Sequence, residues 1–508
     1  MTDQSFERIM NRSELHENYT SGSGSSEYPV WNFIDNILAR FRKCFSREAA
    51  FSWFLIVVAA FIVRTDKLGV TSFIRSLSLS GSKYECLIHF FRSSAWNLNS
   101  LRICWYGIVL NTAPLYLLDE RPVLVCDGVK CSKEGRYMVG VKKHAQESQT
   151  QSKPEMIHGH LWGNVSVLIG DLEKLACLPL STRIHDGIQV MADWSGTDVS
   201  SDSHVVQIMK NACEAASVFG RNVYLLADRY FLSVPALQAL NAFFEKTDIR
   251  VDLITKAKKN ITAYEVPAKE TGKRRGRRRV KGKKVKLQSY FKTRSRQFRK
   301  AKVFMYGEYR DVKYYKIDLL WGQKYYQKLR FVLVKYIDKK DNSEICGILA
   351  TTDLSLDPLK IIGAYSRRFR CEHLYRELKQ VLSAFNYHFW TKSMPKLNHF
   401  RKKSDPDPMK SVTDEDARTK IINALRATEM YMFASNVAMG LIMIISIKFD
   451  FDPSQLRYQR TPAKKKPSEA NVSLCLRKQL FQVLVNRDPI RIVDLIRERS
   501  KDFLYPEH

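Results

Sequence analysis

Two short apolar runs, each followed by an aspartate, constrain the fold of this 508-residue chain more than any other feature. Residues 123–126 precede Asp127, and residues 223–227 precede Asp228. Short aliphatic and β-branched runs are typical of buried central strands, and we expect Gly128 to end the first one. An unpaired carboxylate at the end of a buried strand is costly. The pattern therefore predicts a central sheet that carries both acids, although either Asp taken singly also fits a turn.

A third acid lies in residues 361–385, a stretch of good helix formers with no Pro and no Gly after Gly363. At about 100° per residue, one helix face would carry Tyr365, Arg368, Glu372 and Lys379, and Arg376 would join it one turn after Glu372. A lone carboxylate among cations and a phenol suits a helix that holds a metal ion and grips a phosphate backbone. The alternative is a solvated helix face with ordinary ion pairs.

The spacing Y-x2-R-x3-E-x6-K resembles the YREK signature of a large family of prokaryotic insertion-sequence transposases, the cut-and-paste DDE enzymes. The resemblance implies an α/β fold with a ribonuclease-H-like, or retroviral-integrase-like, catalytic core. It also implies DNA cleavage at transposon ends, a hairpin intermediate and strand transfer into target DNA. The order strand-Asp, strand-Asp, helix-Glu agrees with that core.

The same resemblance assigns roles to individual residues. The catalytic, metal-binding carboxylates would be Asp127, Asp228 and Glu372, with Asp127 bridging two Mg²⁺ ions that Mn²⁺ can replace. Hard divalent ions prefer such oxygen ligands, and a pair of them supports phosphodiester cleavage. The DNA-binding residues on the helix would be Tyr365, Arg368, Arg376 and Lys379.

The charge of the chain favours a nucleic-acid partner, because 83 Lys and Arg residues face 52 Asp and Glu, a net charge of +31. Residues 273–302 hold sixteen Lys or Arg and no acid. Such runs strengthen DNA binding without reading its sequence. The alternative is a disordered tail or a targeting signal, but the run lies between Asp228 and Glu372, where family members carry a β-rich insertion. Its candidate DNA contacts are Arg274, Arg275, Arg277, Arg278 and Arg279.

Residues 302–320 and 328–338 alternate polar with apolar or aromatic residues, which predicts antiparallel strands with Trp321 and Gly322 at a turn between them. Aromatic side chains there can stack on unpaired bases. In hairpin-forming relatives an insertion-domain Trp assists base flipping, so Trp321 is the candidate. Packing across a strand pair is the alternative for any one of these aromatics.

Two segments near the N-terminus predict helices. Residues 51–63 are apolar but too short for a membrane span, which indicates a buried helix. Two amphipathic helices are expected to meet at Ser80 and Gly81, with Ser82 and Glu85 as a capping box. This pair predicts a helix-turn-helix that reads transposon-end DNA, or else an ordinary helical hairpin.

We therefore divide the chain into a disordered segment (1–28), a helical DNA-binding domain (29–115), the first part of the core (116–257), the basic β-rich insertion (258–355), the second part of the core (356–450) and a tail that contributes to dimerisation (451–508). Residues 430–447 are apolar, and we interpret them as a buried helix on the core sheet rather than a membrane span. Ten cysteines lack zinc spacing, and no export signal or phosphate-binding Gly-rich loop occurs.

These observations predict a cytoplasmic, nucleoid-associated homodimer that acts on double-stranded DNA, with no membrane and no nucleotide cofactor. Two alternatives remain open. One is a ribonuclease-H-like nuclease that cleaves without strand transfer, and the other is a transposon-derived DNA-binding protein that has lost catalysis.

Overall fold

The computed structural model describes residues 28–66, 69–146, 155–267, 279–338, 341–398, 400, 405–450, 466–486 and 490–500. The predicted disordered segment lies outside the described residues except for Tyr28. The helices are α1 (Pro29–Ala39), α2 (Glu48–Val63), α3 (Thr71–Ser76), α4 (Lys83–Arg92), α5 (Leu98–Thr112), α6 (His204–Phe219), α7 (Val234–Thr247), α8 (Tyr290–Thr293), α9 (Pro358–Arg367), α10 (Arg370–Gln380), α11 (Glu415–Lys448), α12 (Glu469–Asn486) and α13 (Arg491–Arg499).

The strands belong to one mixed sheet that continues from the core into the insertion. They are β1 (Leu117–Leu118), β2 (Arg121–Ser132), β3 (Lys142–Ala145), β4 (Met156–Gly170), β5 (Leu175–Ile184), β6 (Val223–Ala227), β7 (Val251–Lys256), β8 (Thr262–Tyr264), β9 (Lys284–Lys286), β10 (Arg299–Met305), β11 (Glu308–Gln323), β12 (Tyr325–Ile337) and β13 (Glu344–Thr351).

The core of this sheet has the order β5-β4-β2-β6-β7. Strands β5, β4 and β2 are antiparallel neighbours, whereas β6 and β7 run parallel to β2 and to each other. Helices α10 and α6 both contact β2; α10 also packs on β5, and α6 on β4 and β7. This mixed α/β arrangement is consistent with the predicted ribonuclease-H-like core.

The segments predicted as antiparallel strands are strands β10, β11 and β12, and β13 joins them to β7 at the edge of the core. The prediction for Trp321 was wrong in one respect. Trp321 and Gly322 lie inside β11, paired with Gln327 and Tyr326, and the β11–β12 turn is at Lys324, whose φ is +62°. The alternation of side chains continues through the Trp, so periodicity alone could not locate the turn.

Two apolar segments are buried helices, as predicted. Residues 50–63 of α2 are all buried. Within the described part of the chain, α11 is the one helix long and apolar enough to cross a membrane, but 94% of its most apolar window is buried inside the protein. It packs on β5 and α2, and helices α12 and α13 also cover α2.

The predicted capping box at the start of α4 was wrong. The backbone of Ser82 already has helical dihedrals (φ −61°, ψ −20°), so its side chain makes no cap. Its Oγ lies 2.8 Å from Oγ of Ser80 instead. Helices α3 and α4 are present, and their function as a helix-turn-helix stays a prediction.

Candidate active site

The first acid, Asp127, lies in the middle of β2 rather than at its end. The strand was expected to stop at Gly128 but continues to Ser132, because β4 pairs with it along residues 124–132. Gly128 has a steric role: a Cβ there would lie 2.7 Å from Nε2 of His204. Gly128 therefore marks a position where a side chain approaches the backbone closely, and it does not mark the end of the strand.

The second acid, Asp228, directly follows β6. The parallel register ends with Val125 paired to Leu226, and Asp127 and Asp228 each lie two residues further on. The two acids line the same cleft, and the charge of Asp228 acts on Asp127. The backbone of Asp228 is fixed because its carbonyl oxygen accepts hydrogen bonds from Phe231 N (3.0 Å) and from Thr255 Oγ1 (2.9 Å).

The third acid, Glu372, lies in the first turn of α10. The predicted single helix is in fact two helices, because α9 ends at Arg367 and α10 begins at Arg370. Across this break the amides of Arg368, Cys371 and Glu372 bond to carbonyl groups three residues earlier, which tightens the turn. Tyr365 is thus on the first helix, and Glu372 and Lys379 are on the second.

Arg368, at this break, joins the acids. Its guanidinium donates to Oδ2 of Asp127 at 3.3 Å and to Oε1 of Glu372 at 3.1 Å. Burial opposes its charge, but Tyr365, Asp127, Asp228 and Glu372 raise the pKa of Arg368 above its usual range. Arg368 therefore contacts Asp127 and Glu372 directly, whereas Asp228 and Tyr365 act on it electrostatically.

The electrostatics of Asp127 reflect this crowding. Burial is the main cause that raises the pKa of Asp127 from 3.8 to about 6, and the charges of Asp228 and Glu372 add to it. Arg368 and the amide of Gly128 act in the opposite direction. A buried carboxylate next to other carboxylates favours any cation that can share them. Burial likewise raises the pKa of Tyr365 to about 12, so this phenol stays protonated at neutral pH.

Asp127 and Asp228 form part of the floor of an open cleft of about 950 Å³. Lys379 lines it. Arg376 lies on α10 four residues after Glu372, but its guanidinium turns toward Glu377 (3.1 Å) and lines a different pocket. The roles of Lys379 and Arg376 as DNA contacts stay predictions.

The remaining predicted DNA contacts are in the insertion. Trp321 is half-buried against the core and does not line the cleft, and its role in base flipping stays a prediction. Arg279 is exposed, whereas Arg274, Arg275, Arg277 and Arg278 lie outside the described residues. The insertion contacts the helix of Tyr365 instead, because strand β10 packs on α9.

The donor set fits hard divalent ions, since all three acids offer carboxylate oxygens. Among the described residues, however, no group of three or more His, Cys, Asp or Glu side chains is arranged to hold a metal ion. The Arg368 guanidinium contacts two of the acids directly. The guanidinium supplies the positive charge that these carboxylates require. It would have to move before metal ions could bind the carboxylates together.

Several cleft residues were not identified from the sequence. His204 and Tyr230 line it beside Asp228, and Lys130 lines it beyond Asp127 on β2. Burial lowers the pKa of His204 to about 4, so the ring is neutral at pH 7. For Lys130 the sequence does offer a signal, since this residue lies three residues after Asp127.

Two parallel strands that carry aspartates, next to a helix that contributes a glutamate, are consistent with an α/β fold of the ribonuclease-H-like type. Residues 193–393, about two fifths of the chain, match the protein family described as the transposase DDE domain. The match contains Asp228 and Glu372 and begins after Asp127, and it supports a DDE transposase. No curated protein matches the chain.

Proposed function

We propose that this protein is a cut-and-paste transposase. It cleaves DNA at the ends of its element and joins the freed 3′-ends to target DNA by a two-metal DDE mechanism. The observation that carries the proposal is the contact of one guanidinium, that of Arg368, with both Asp127 and Glu372, while Asp228 lines the same cleft as Asp127. We infer from these contacts that acids more than 100 residues apart in sequence share one site.

Asp127, Asp228 and Glu372 would hold the two ions, with Mg²⁺ as the physiological ion and Mn²⁺ as a substitute. Bound there, the ions would supply activation of the attacking water or 3′-hydroxyl and neutralisation of the leaving oxygen. Arg368 is the residue that changes partner. When cations occupy the carboxylates, its planar guanidinium is free to bind the scissile phosphate in bidentate fashion. The protonated Tyr365 remains a hydrogen-bond donor beside it.

The wider DNA surface follows from charge. Lys379 at the cleft and the basic insertion would hold the phosphate backbone of double-stranded DNA, at the inverted-repeat ends and at the target. The finer steps that we propose by resemblance are a hairpin intermediate, base flipping assisted by Trp321, end recognition by α3 and α4, and a homodimer in the synaptic complex. We place this activity in the prokaryotic cytoplasm, on nucleoid DNA.

The test is cleavage of a supercoiled plasmid that carries the inverted repeats bracketing the gene. The variant Glu372→Ala is expected to lose nicking below detection in Mg²⁺ and to bind the ends about as well as the wild type in a mobility-shift assay. Glu377→Ala is the matched control, because it lies on the same helix and pairs with Arg376 outside the cleft. A Glu372→Ala protein that still cuts removes Glu372 from the site.

The products separate the two alternative functions. Joining of 3′-ends to a second plasmid supports the transposase, whereas nicked or linear products without joining indicate a nuclease. If the wild type and Asp127→Asn bind the ends equally well and neither nicks, the protein is a DNA-binding protein without catalysis.

A further inference from the structure

The cleft extends past the two aspartates along the free edge of β2. Parallel pairing of β2 with β6 ends at Val125, while β4 covers the other edge as far as Ser132. Alternate side chains of a strand point to opposite faces, so Asp127 and Lys130 lie on opposite faces of β2. The cleft is lined from both faces, with Lys379 from α10 and with His204 from α6. A polymer that lies across the acids can therefore pass from one face of the sheet to the other.

Tyr230 stands at the α6 end of this path. Its side chain is 61% exposed, although Phe231 next to it is buried. The Tyr230 ring packs edge-on against Phe231 (centroids 5.5 Å apart, 86° between planes) and lies 6.5 Å from the His204 ring. The hydrogen bond from Phe231 N to the Asp228 carbonyl fixes this turn two residues after the acid. An aromatic ring is thus held at a set position beside Asp228 and remains open to solvent.

The charge of this part of the cleft suits a nucleic-acid strand. Lys130 and Lys379 line it, and Asp127 and Asp228 are the only acids among its lining residues in the described chain. Lys130 is held in place because its Nζ donates to the Ala145 carbonyl. Burial keeps His204 neutral at pH 7, so its ring adds an uncharged aromatic surface behind Tyr230.

We propose that Tyr230 and Lys130 form a binding subsite for an unpaired nucleotide next to the scissile phosphate, with the base stacked on Tyr230 and a phosphate bound by Lys130. The occupant is single-stranded DNA, because only a base that is not paired can stack on the Tyr230 ring. Such stacking contributes about 1–3 kcal/mol per base. This assignment rests on the proposed function, since it places the strand relative to Asp228. It does not involve the basic insertion.

The test uses a mixed-sequence 15-nucleotide single strand with one 5-iodouracil, and the same strand in a duplex. Each is irradiated with the full-length protein in EDTA, and the crosslinked residue is mapped by mass spectrometry. The single strand is expected to crosslink at Tyr230 and the duplex much less. In about 0.3 M salt, where phosphate contacts are weakened, Tyr230→Ala is expected to bind the single strand about 10-fold more weakly.

Tyr230→Phe keeps the ring and is expected to bind within about twofold of the wild type. Tyr137→Ala is the control, because Tyr137 is 37% exposed and lies outside the cleft. Unchanged affinity of Tyr230→Ala together with crosslinks elsewhere overturns the subsite, even if the wild type cleaves plasmid DNA. A protein that crosslinks at Tyr230 but never cleaves contradicts the proposed catalysis and leaves the subsite standing.

Discussion

Arg368 donates to Asp127 at 3.3 Å and also to Glu372, so one guanidinium joins a central strand to the helix that carries the third acid. The side chain of Arg368 is only 15% exposed. Without bound ions, this arginine therefore neutralises the acid cluster from within. We propose that metal binding and phosphate binding are coupled, because the two guanidinium nitrogens that contact Asp127 and Glu372 have to leave these acids to bind a phosphate in bidentate fashion.

A first prediction concerns Arg368→Gln. Removing the guanidinium leaves the carboxylates without their internal cation, so DNA-free protein is expected to bind Mn²⁺ several-fold more tightly, as measured by electron paramagnetic resonance titration. DNA affinity is expected to fall, with the salt-dependence slope reduced by about one. Arg376→Gln is the matched control for Mn²⁺ binding, since its guanidinium pairs with Glu377 outside the cleft. Weaker Mn²⁺ binding by Arg368→Gln contradicts the coupling.

A second prediction concerns stability and pH. The pKa of Asp127 is raised from 3.8 to about 6, so the folded state binds the proton more tightly than the unfolded chain. The free energy of unfolding therefore decreases as the pH rises from 3.8 to about 6, and the full destabilisation by the Asp127 carboxylate is present above pH 6. In EDTA at pH 7.5, Asp127→Asn is expected to raise the free energy of unfolding by up to about 3 kcal/mol, and much less at pH 4. Denaturant titration measures both values.

Asp353→Asn is the control, because we expect it to change stability in the opposite direction. Burial alone would raise the pKa of Asp353, but hydrogen bonds from Ser355 and Tyr224 lower it below 3.8. Its ionised form therefore stabilises the fold at neutral pH, and the amide is expected to destabilise it. If Asp127→Asn destabilises the metal-free protein as Asp353→Asn does, the carboxylates are not crowded as described.

A third prediction concerns Lys133, a buried cation at the end of β2. Its Nζ donates to the carbonyl oxygens of Phe385 (2.5 Å) and Tyr387 (3.0 Å) and lies 3.8 Å from the centre of the Tyr387 ring. It thereby ties the strand of Asp127 to the segment that follows Lys379. Lys133→Met is expected to cost about 1–3 kcal/mol of stability, since both acceptors lose their partner. The measurement is thermal unfolding of Lys133→Met compared with Lys143→Met, a control at an exposed position. Equal melting temperatures of the two variants would contradict the prediction.

The sequence predicted the parts of the site that local patterns specify. Strand β6 and the acid that follows it, the buried helices α2 and α11 and the antiparallel strands of the insertion all follow from periodicity and hydrophobic runs. The break at Arg368 does not, because the segment lacks Pro and contains no Gly after Gly363. At this break Arg368 contacts Asp127, 241 residues earlier, a contact that no local pattern specifies.

The errors have related physical reasons. Arg376 follows Glu372 by one turn of α10, but its guanidinium pairs with Glu377, and such a choice of partner is not visible in the helix spacing. Gly128 was interpreted as a strand end, but it makes room for a His204 that is distant in sequence. Trp321 is a candidate by resemblance to hairpin-forming relatives, and its role stays a prediction. Tyr230 was not predicted, because its exposure and its place in the cleft depend on the fold.

The most direct test of the shared metal site is iron-mediated cleavage of the polypeptide. Fe²⁺ bound in place of Mg²⁺ generates hydroxyl radicals with ascorbate and peroxide, and these cut the backbone close to the ion. We predict cuts near Asp127, Asp228 and Glu372 together, suppressed by excess Mg²⁺ and lost in Asp127→Asn. Cuts confined to one of these segments, or cuts that Mg²⁺ does not suppress, would contradict the convergence of the three acids on common ions.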